Sequence, residues 1–287
     1  MNNPSRAGFV ALIGAPNAGK STLLNRLVGQ KVSIVTHKVQ TTRAVIRGIA
    51  VANQSQIVFV DTPGIFQPGK RLERAMVAAA WGGAKEADVI ALLVDASSHK
   101  RVEESLGIAR DLASAKLPKI LILNKIDLSD RTELLRHAAM LNEVCGFADT
   151  FMISATTGDG TDDLLEHLAK TVPEGPWLYP ADQYTDAPAR LLAAEVTREK
   201  LFLRLHEELP YALAVETENW RRGKAGSVRI EQVIYVERDS QKKIVLGRGG
   251  QTIKAVSMEA RQEMSVIFDC TVHLFLFVKV RRRWTRD

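Results

Sequence analysis

The residues of this chain best equipped for chemistry sit together in one octapeptide, Gly14-Ala15-Pro16-Asn17-Ala18-Gly19-Lys20-Ser21. Glycines at two points let such a loop fold tightly and turn its backbone N–H groups inward. With the start of a helix behind it, the loop becomes a cradle for phosphate oxygens. Lys20 adds a point charge for β- and γ-phosphates, and the Ser21 hydroxyl is suited to ligate Mg²⁺. The apolar run Phe9–Ile13 precedes the loop and a helix-like stretch from Thr22 to Leu27 follows it. Strand, glycine loop, helix is the context in which G-x-x-x-x-G-K-[ST] signifies a phosphate-binding loop, so a nucleoside triphosphate is the implied ligand.

Two further clusters bear on which triphosphate. Asn124-Lys125-Ile126-Asp127 follows the apolar run Lys119–Leu123. A carboxylate there can accept two hydrogen bonds from a base with an N–H beside an exocyclic amine; guanine has that edge and adenine does not. Asp127 is therefore expected to read the base, Asn124 to tie this loop to the phosphate loop, and the Lys125 stem to cover the ring. Ser154-Ala155-Thr156, after Phe151–Ile153, offers a backbone N–H for the guanine carbonyl oxygen. Asp61-Thr62-Pro63-Gly64 follows Gln56–Val60. Asp61 is expected behind the metal, and Gly64 to present its N–H to the γ-phosphate, so that loss of that phosphate releases the segment after it. In Gln40-Thr41-Thr42-Arg43-Ala44, Thr42 is the favoured residue to complete the Mg²⁺ shell begun by Ser21 and Asp61.

These side chains need a scaffold that brings several loops to one edge. Buried-strand patterns near 8–13, 44–52, 56–60, 88–94, 119–123 and 151–153 alternate with helical ones near 19–28, 70–80, 101–114, 131–143 and 161–170. That alternation predicts an α/β doubly wound sheet, with its ligand at the carboxyl ends of the strands. Residues 6–172 form this first domain, and the proline-rich stretch within 173–186 reads as a linker.

From residue 187 the pattern changes. It runs helix (190–206), two strands (211–215 and 228–236), a helix–loop–helix around Gly247-Arg248-Gly249-Gly250, and a last strand at 271–280. The order resembles a type II KH domain, an α+β module, here over 187–281 with a basic tail at 282–287. Its G-x-x-G loop lies against a sugar–phosphate backbone beside a groove for about four unpaired nucleotides. Arg248 and Lys254 supply charge there, and Arg221 and Arg222 form a second basic cluster. Lys242-Lys243 and Arg281–Arg283 add to it. Up to residue 180 the chain has 20 basic against 18 acidic side chains, and from Asn219 onward 15 against 7, so positive charge gathers in the half that resembles an RNA binder.

The 287 residues, 25% charged and 46% apolar, suit a globular protein of two domains. Cys145 and Cys270 are far apart without metal-ligand spacing, and the histidines are scattered. We expect reduced thiols, a cytoplasmic location and no metal beyond Mg²⁺. No 18-residue uncharged apolar stretch exists, and Met1–Arg6 is too short and polar for a signal peptide.

With G-x-P-N-x-G-K-S, Q-T-T-R, D-T-P-G, N-K-x-D and S-A in sequence, followed by the KH-like half, the chain resembles the translation-factor-related GTPases. Within them it is similar to the Era family of bacterial ribosome-assembly GTPases, over about residues 6–280. The resemblance implies GTP/GDP as ligands, the 3′ end region of 16S rRNA as the bound RNA, a role in 30S subunit assembly, and a monomer. Many GTPases carry a water-orienting glutamine directly after D-x-x-G, where this chain has Ile65. Intrinsic turnover should therefore be slow, on the order of 10⁻⁴ to 10⁻² s⁻¹. Asn17 at its loop position suggests K⁺ beside the phosphates, where it would serve catalysis with Lys20, Thr42 and Gly64. An alternative function is a signalling or membrane-associated GTPase whose C-terminal domain binds protein or, peripherally at the membrane, anionic lipid.

Overall fold

A computed structural model describes residues 5–38, 41–66, 71–206 and 209–282, the side chains of 71, 72 and 225 excepted. Gln40, position 70 of the expected second helix and residues 283–287 of the basic tail lie outside the described residues. The chain divides into two units, one of residues 1–33 with 42–186, the other of 34–41 with 187–287.

In the first unit the elements run β1 (Arg6–Ile13), α1 (Lys20–Val28), β2 (Ile46–Ala52), β3 (Ser55–Asp61), α2 (Arg71–Lys85) and β4 (Val89–Asp95). They continue as α3 (His99–Ala113), β5 (Lys119–Asn124), α4 (Arg131–Val144), β6 (Asp149–Ile153) and α5 (Thr161–Thr171). The six strands form one sheet in the order β2-β3-β1-β4-β5-β6. All neighbours are parallel except β2, which runs antiparallel to β3 at the edge. Strands buried on both faces read as continuous apolar runs, and β3 and β4 are buried at every position. Alternate residues of β1 feed two layers: Val10 and Leu12 pack with Leu23, Leu24 and Leu164, while Ala11 and Ile13 pack with Val102, Leu134 and Leu141. β1 is flanked by β3 on one side and β4 on the other, so the chain departs in opposite directions around it. A crevice at such a switch point is where an open α/β sheet binds ligands.

The expected linker behaves as part of this unit. Gln56, fully buried in β3, donates from Nε2 to the Tyr179 carbonyl at 2.8 Å, and its Oε1 accepts the N–H groups of Leu178 at 2.8 Å and Tyr179 at 3.0 Å. Trp177 Nε1 donates to the Gln54 carbonyl, and Arg47 pairs with Asp186 at 2.9 Å. Prolines removed helical options from this stretch, and its freed backbone groups found partners on the Gln56 side chain and along the edge strand β2.

The second unit comprises α6 (Ala189–Arg204), β7 (Leu213–Arg222), β8 (Val228–Val236), α7 (Asp239–Leu246), α8 (Gln251–Ile267) and β9 (Val272–Val280). β8 is the central strand, antiparallel to β7 and parallel to β9. Two strands in parallel need a crossover, and α7 and α8 supply it. The sequence pattern set no start for the helix before the loop; it begins at Asp239. Gln241 explains that start, because its Oε1 accepts the N–H groups of Glu237 and Arg238 and caps the helix. β7 likewise extends to Arg222, beyond the apolar run that announced it. Leu201, Val245, Val256, Ile234 and Val278 pack at one end of the sheet, and Val196, Ala260, Met264, Ile230 and Val272 at the other.

Gln56→Leu should cost the first unit about 1–2 kcal/mol, because three backbone groups lose their partner in a partly buried setting. Limited proteolysis should cut between 173 and 180 several-fold faster in the variant, with a lower urea midpoint.

Candidate nucleotide site and nucleic-acid interface

β1 stops at Ile13, the loop spans Gly14–Gly19, and α1 begins at Lys20. Gly19 has φ of +101°, and a Cβ there would stand 2.3 Å from Asn124 Nδ2, so no side chain fits. Lys20 is 6% exposed and donates to the carbonyls of Gly14 at 3.0 Å and Ala15 at 2.9 Å. Burial draws its pKa from 10.5 down to about 8, with the Asp61 carboxylate acting in the other direction. Asn17 adopts φ of +62°, a left-handed conformation that asparagine tolerates.

Asp61, Ser21 and Thr42 converge beside this lysine. Ser21 Oγ donates to Asp61 Oδ2 at 2.7 Å and lies 3.0 Å from Thr42 Oγ1. Ser33 Oγ donates to the same carboxylate oxygen at 2.9 Å. Asp61 is fully buried, which raises its pKa against the opposing hydrogen bonds, and its Oδ1 has no hydrogen-bond partner. Two hydroxyls and a buried carboxylate with a spare oxygen are the hard oxygen set that Mg²⁺ prefers, so these residues fit that ion. Thr62 Oγ1 donates to the Leu12 carbonyl, and Gly64 lies against Pro16 after Pro63. Ile65 donates its N–H to the Gly14 carbonyl and buries its side chain in the core beside Ala15.

The base end is built on β5 and the loop after β6. Asn124, 2% exposed, donates from Nδ2 to the Ala18 carbonyl at 2.8 Å and accepts the Ala155 N–H on Oδ1 at 2.9 Å. It thus joins all three loops. Lys125, at φ of +67°, sends Nζ to Asp95 Oδ2 at 2.6 Å. Burial would raise the Asp95 carboxyl, but hydrogen bonds from Lys125 and Ser97 hold it below the usual range. Asp127 is exposed in a single turn of 3₁₀ helix, Ile126–Leu128. The Ser154 N–H donates to the Asp159 carbonyl, so it turns into its own loop. Ala155 already serves Asn124, and a guanine oxygen would have to share that N–H. Three contributors were not anticipated: Ser33 on Asp61, Asp95 on Lys125, and Arg26, which reaches the Ala155 and Thr156 carbonyls. None stands in a motif, so nothing local in the sequence marks them.

In the second unit, Gly247 follows α7 with φ of +74°, and a Cβ would lie 2.2 Å from Thr252 Oγ1. The turn Arg248–Gly250 leads directly into α8. Arg248, Gly249 and Lys254 are exposed on this turn and the first turn of α8, and Ile244 stands 56% exposed just before it. Arg221 and Arg222 do not join them. They end β7, where Arg222 pairs with Val228 and Val228 with Val272. Val272 follows the far end of the 17-residue helix α8, about 25 Å from its start. Trp220, their neighbour in sequence, packs edge-on against Phe268 at 5.3 Å. Among the described residues no group of three or more His, Cys, Asp or Glu side chains could hold a metal, and no helix is long and apolar enough to cross a membrane.

Residues 9–125 match the family model described as a 50S ribosome-binding GTPase, and residues 208–285 match the KH domain model. The chain is 64% identical over 285 residues to the GTPase Era of Rhizobium meliloti, covering 99% of this chain and 90% of that protein. It is 63% identical over 284 residues to the GTPase Era of Agrobacterium fabrum, covering 99% and 89%. Among solved structures it is similar to a point variant of Aquifex aeolicus Era bound to GDP·AlF4⁻, with a TM-score of 0.90 at 38% identity over 98% of this chain and 96% of the other. A second, Era in complex with MgGDPNP and nucleotides 1506–1542 of 16S ribosomal RNA, matches with a TM-score of 0.91 at 38% identity over the same shares. Identity at this level across both units, with the P-loop and the G-x-x-G turn each in place, means that the chain belongs to the GTPase Era family.

Proposed function

We propose that this GTPase binds GTP at the carboxyl edge of its first sheet, with Asp127 reading guanine and Ser21 and Thr42 holding Mg²⁺ in front of Asp61. Its hydrolysis controls a KH domain that binds 16S rRNA near its 3′ end and assists assembly of the 30S subunit in the cytoplasm. The observation that carries the reading is the likeness, along nearly the whole chain, to an Era complex holding both MgGDPNP and a 16S rRNA fragment.

The site geometry supports the hydrolytic part. Lys20 exchanges its two carbonyl partners for β- and γ-phosphate oxygens, and the Gly14–Gly19 N–H groups hold the remaining charge. Mg²⁺ bound by the two hydroxyls would neutralise charge on those oxygens. Ile65 is committed to the core and offers the attacking water no hydrogen bond, so turnover is slow until a partner or ion acts. Asn17 is the residue we assign to K⁺.

Control of the RNA-binding unit is supported by residues 34–41, which belong to that unit. Val35 donates its N–H to Glu199 at 2.8 Å, Lys38 Nζ donates to the Phe202 and Leu205 carbonyls, and Arg198 donates to the Thr41 carbonyl. The residues on either side of this segment, Ser33 and Thr42, reach Asp61 and Ser21. Movement of Thr42 with the γ-phosphate therefore pulls on a segment fastened to α6.

Asp127→Asn should weaken GTP about 100-fold or more and improve binding of xanthosine triphosphate, whose C2 oxygen can accept from the new amide; fluorescent-nucleotide titration measures both. Gly249→Asp tests the RNA surface. Gly249 has φ of +57° with open space around it, which aspartate accommodates, so the domain folds and the added carboxylate repels phosphate. A 16S 3′ fragment should bind at least about 10-fold more weakly with GTP affinity unchanged, and undiminished RNA binding would refute the groove. Turnover should be faster in K⁺ than in matched Na⁺ buffer; equal rates would remove the role given to Asn17.

A further inference from the structure

The loop carrying Ser154 and Ala155 is tied to the phosphate end of the site twice. One tie is Asn124, through the Ala18 carbonyl and the Ala155 N–H. The other lies outside every motif. Arg26, on α1, donates from Nε to the Ala155 carbonyl at 3.3 Å and from Nη2 to the Thr156 carbonyl at 2.5 Å.

Two consecutive carbonyls held by one guanidinium fix two consecutive peptide planes, since each peptide is planar and trans. The Thr156 N–H must then point away from Arg26, and the Thr157 N–H is turned to Ser154 Oγ, which accepts it at 3.2 Å. The loop closes on itself behind them: Ser154 N–H donates to the Asp159 carbonyl and Gly158 N–H to the Ser154 carbonyl. With its carbonyls facing α1, the stretch from Ala155 presents N–H groups away from that helix. Arg26 also lies six residues after Lys20 on one continuous helix, about 9 Å along its axis. The same rod that sets the phosphate contacts therefore sets where this loop stands.

We propose that Arg26 is a positioning residue for guanine recognition: it clamps the Ala155 and Thr156 carbonyls to α1 so that the Thr156 N–H, beside the Ala155 N–H shared with Asn124, meets the base's carbonyl oxygen at a fixed distance from the phosphates. A lysine could reach one of the two carbonyls but cannot fork between them. The inference rests on Asp127 reading the other edge of the same base, and the test separates the two.

The experiment compares wild type, Arg26→Ala and Arg26→Lys as full chains, titrated with GDP, IDP and the diphosphate of 2,6-diaminopurine riboside. GDP and IDP carry the carbonyl oxygen at C6, where the diaminopurine carries an amine; GDP and the diaminopurine share the 2-amino group that faces Asp127. The N1 hydrogen that the diaminopurine lacks is missing equally for wild type and variants, so each nucleotide is compared across the three proteins. Arg26→Ala should weaken GDP and IDP together by about 5–10-fold and leave the diaminopurine nucleotide within about twofold. Preference for GDP over the diaminopurine then falls, and preference for GDP over IDP stays as in wild type. Arg26→Lys should fall between. Equal weakening of all three nucleotides would reduce Arg26 to a structural prop, and an unchanged GDP affinity would remove it altogether; either overturns the proposal. Failure of the Asp127 reading shows separately, as equal affinity of the wild type for GDP and IDP.

Discussion

The Lys20 ammonium and the Asp61 carboxylate are both withdrawn from water at the carboxyl edge of one sheet, and neither could stay there without the oxygen atoms around it. Lys20 is held by two loop carbonyls, Asp61 by the hydroxyls of Ser21 and Ser33. Burial works against both charges, lowering the pKa of the lysine and raising that of the acid. In the function proposed, a triphosphate with its metal would supply counter-charges to each. The fold has already met part of the desolvation cost that binding would otherwise carry. Everything else in the first unit can be read as keeping these groups in place, from the apolar strands that bury them to Asn124, which closes the phosphate loop from the side.

The second unit has a related device, which the proposed function gives to a different ligand. A glycine turn again leads into a helix, at Gly250 and α8, but here the turn is open. Lys20 is buried, whereas Arg248 and Lys254 stand in water. Enclosure suits a small ligand that must be surrounded and protected for hydrolysis. An open basic turn beside the exposed Ile244 suits a polymer that enters and leaves along its length. The difference follows from what lies over each loop: in the first unit three other loops converge on it, and in the second the helices on both sides leave its outer face uncovered.

Residues 34–41 and 173–186 share a feature that composition alone hides. Neither segment carries an apolar period, yet the described residues of each are held at several points. The first is held to α6 by Glu199, Arg198 and the carbonyls that end the helix. The second is held to β3 by Gln56. Backbone groups that leave regular structure still need partners, and a polar side chain buried within a sheet, such as Gln56, meets that need at little entropic cost.

Local pattern was enough for much of this protein. The Gly14–Ser21 loop, Asp61, Asn124 and Asp127 are legible as candidates because phosphate and base chemistry demand particular residue types at short spacing, and the strands before them announce themselves as apolar runs. The order of helices and strands in the second half was legible for the same reason. Folding in three dimensions was needed to bring Ser33 to Asp61, Asp95 to Lys125 and Arg26 to Ala155, because a single hydrogen bond between distant residues leaves no periodic trace. It also separated Arg222 from Gly247, since one helix carries them to opposite ends of a sheet, and it docked the proline-rich stretch on β3. Spacing along a chain encodes what neighbours can do; which strangers meet is set by the packing of whole elements.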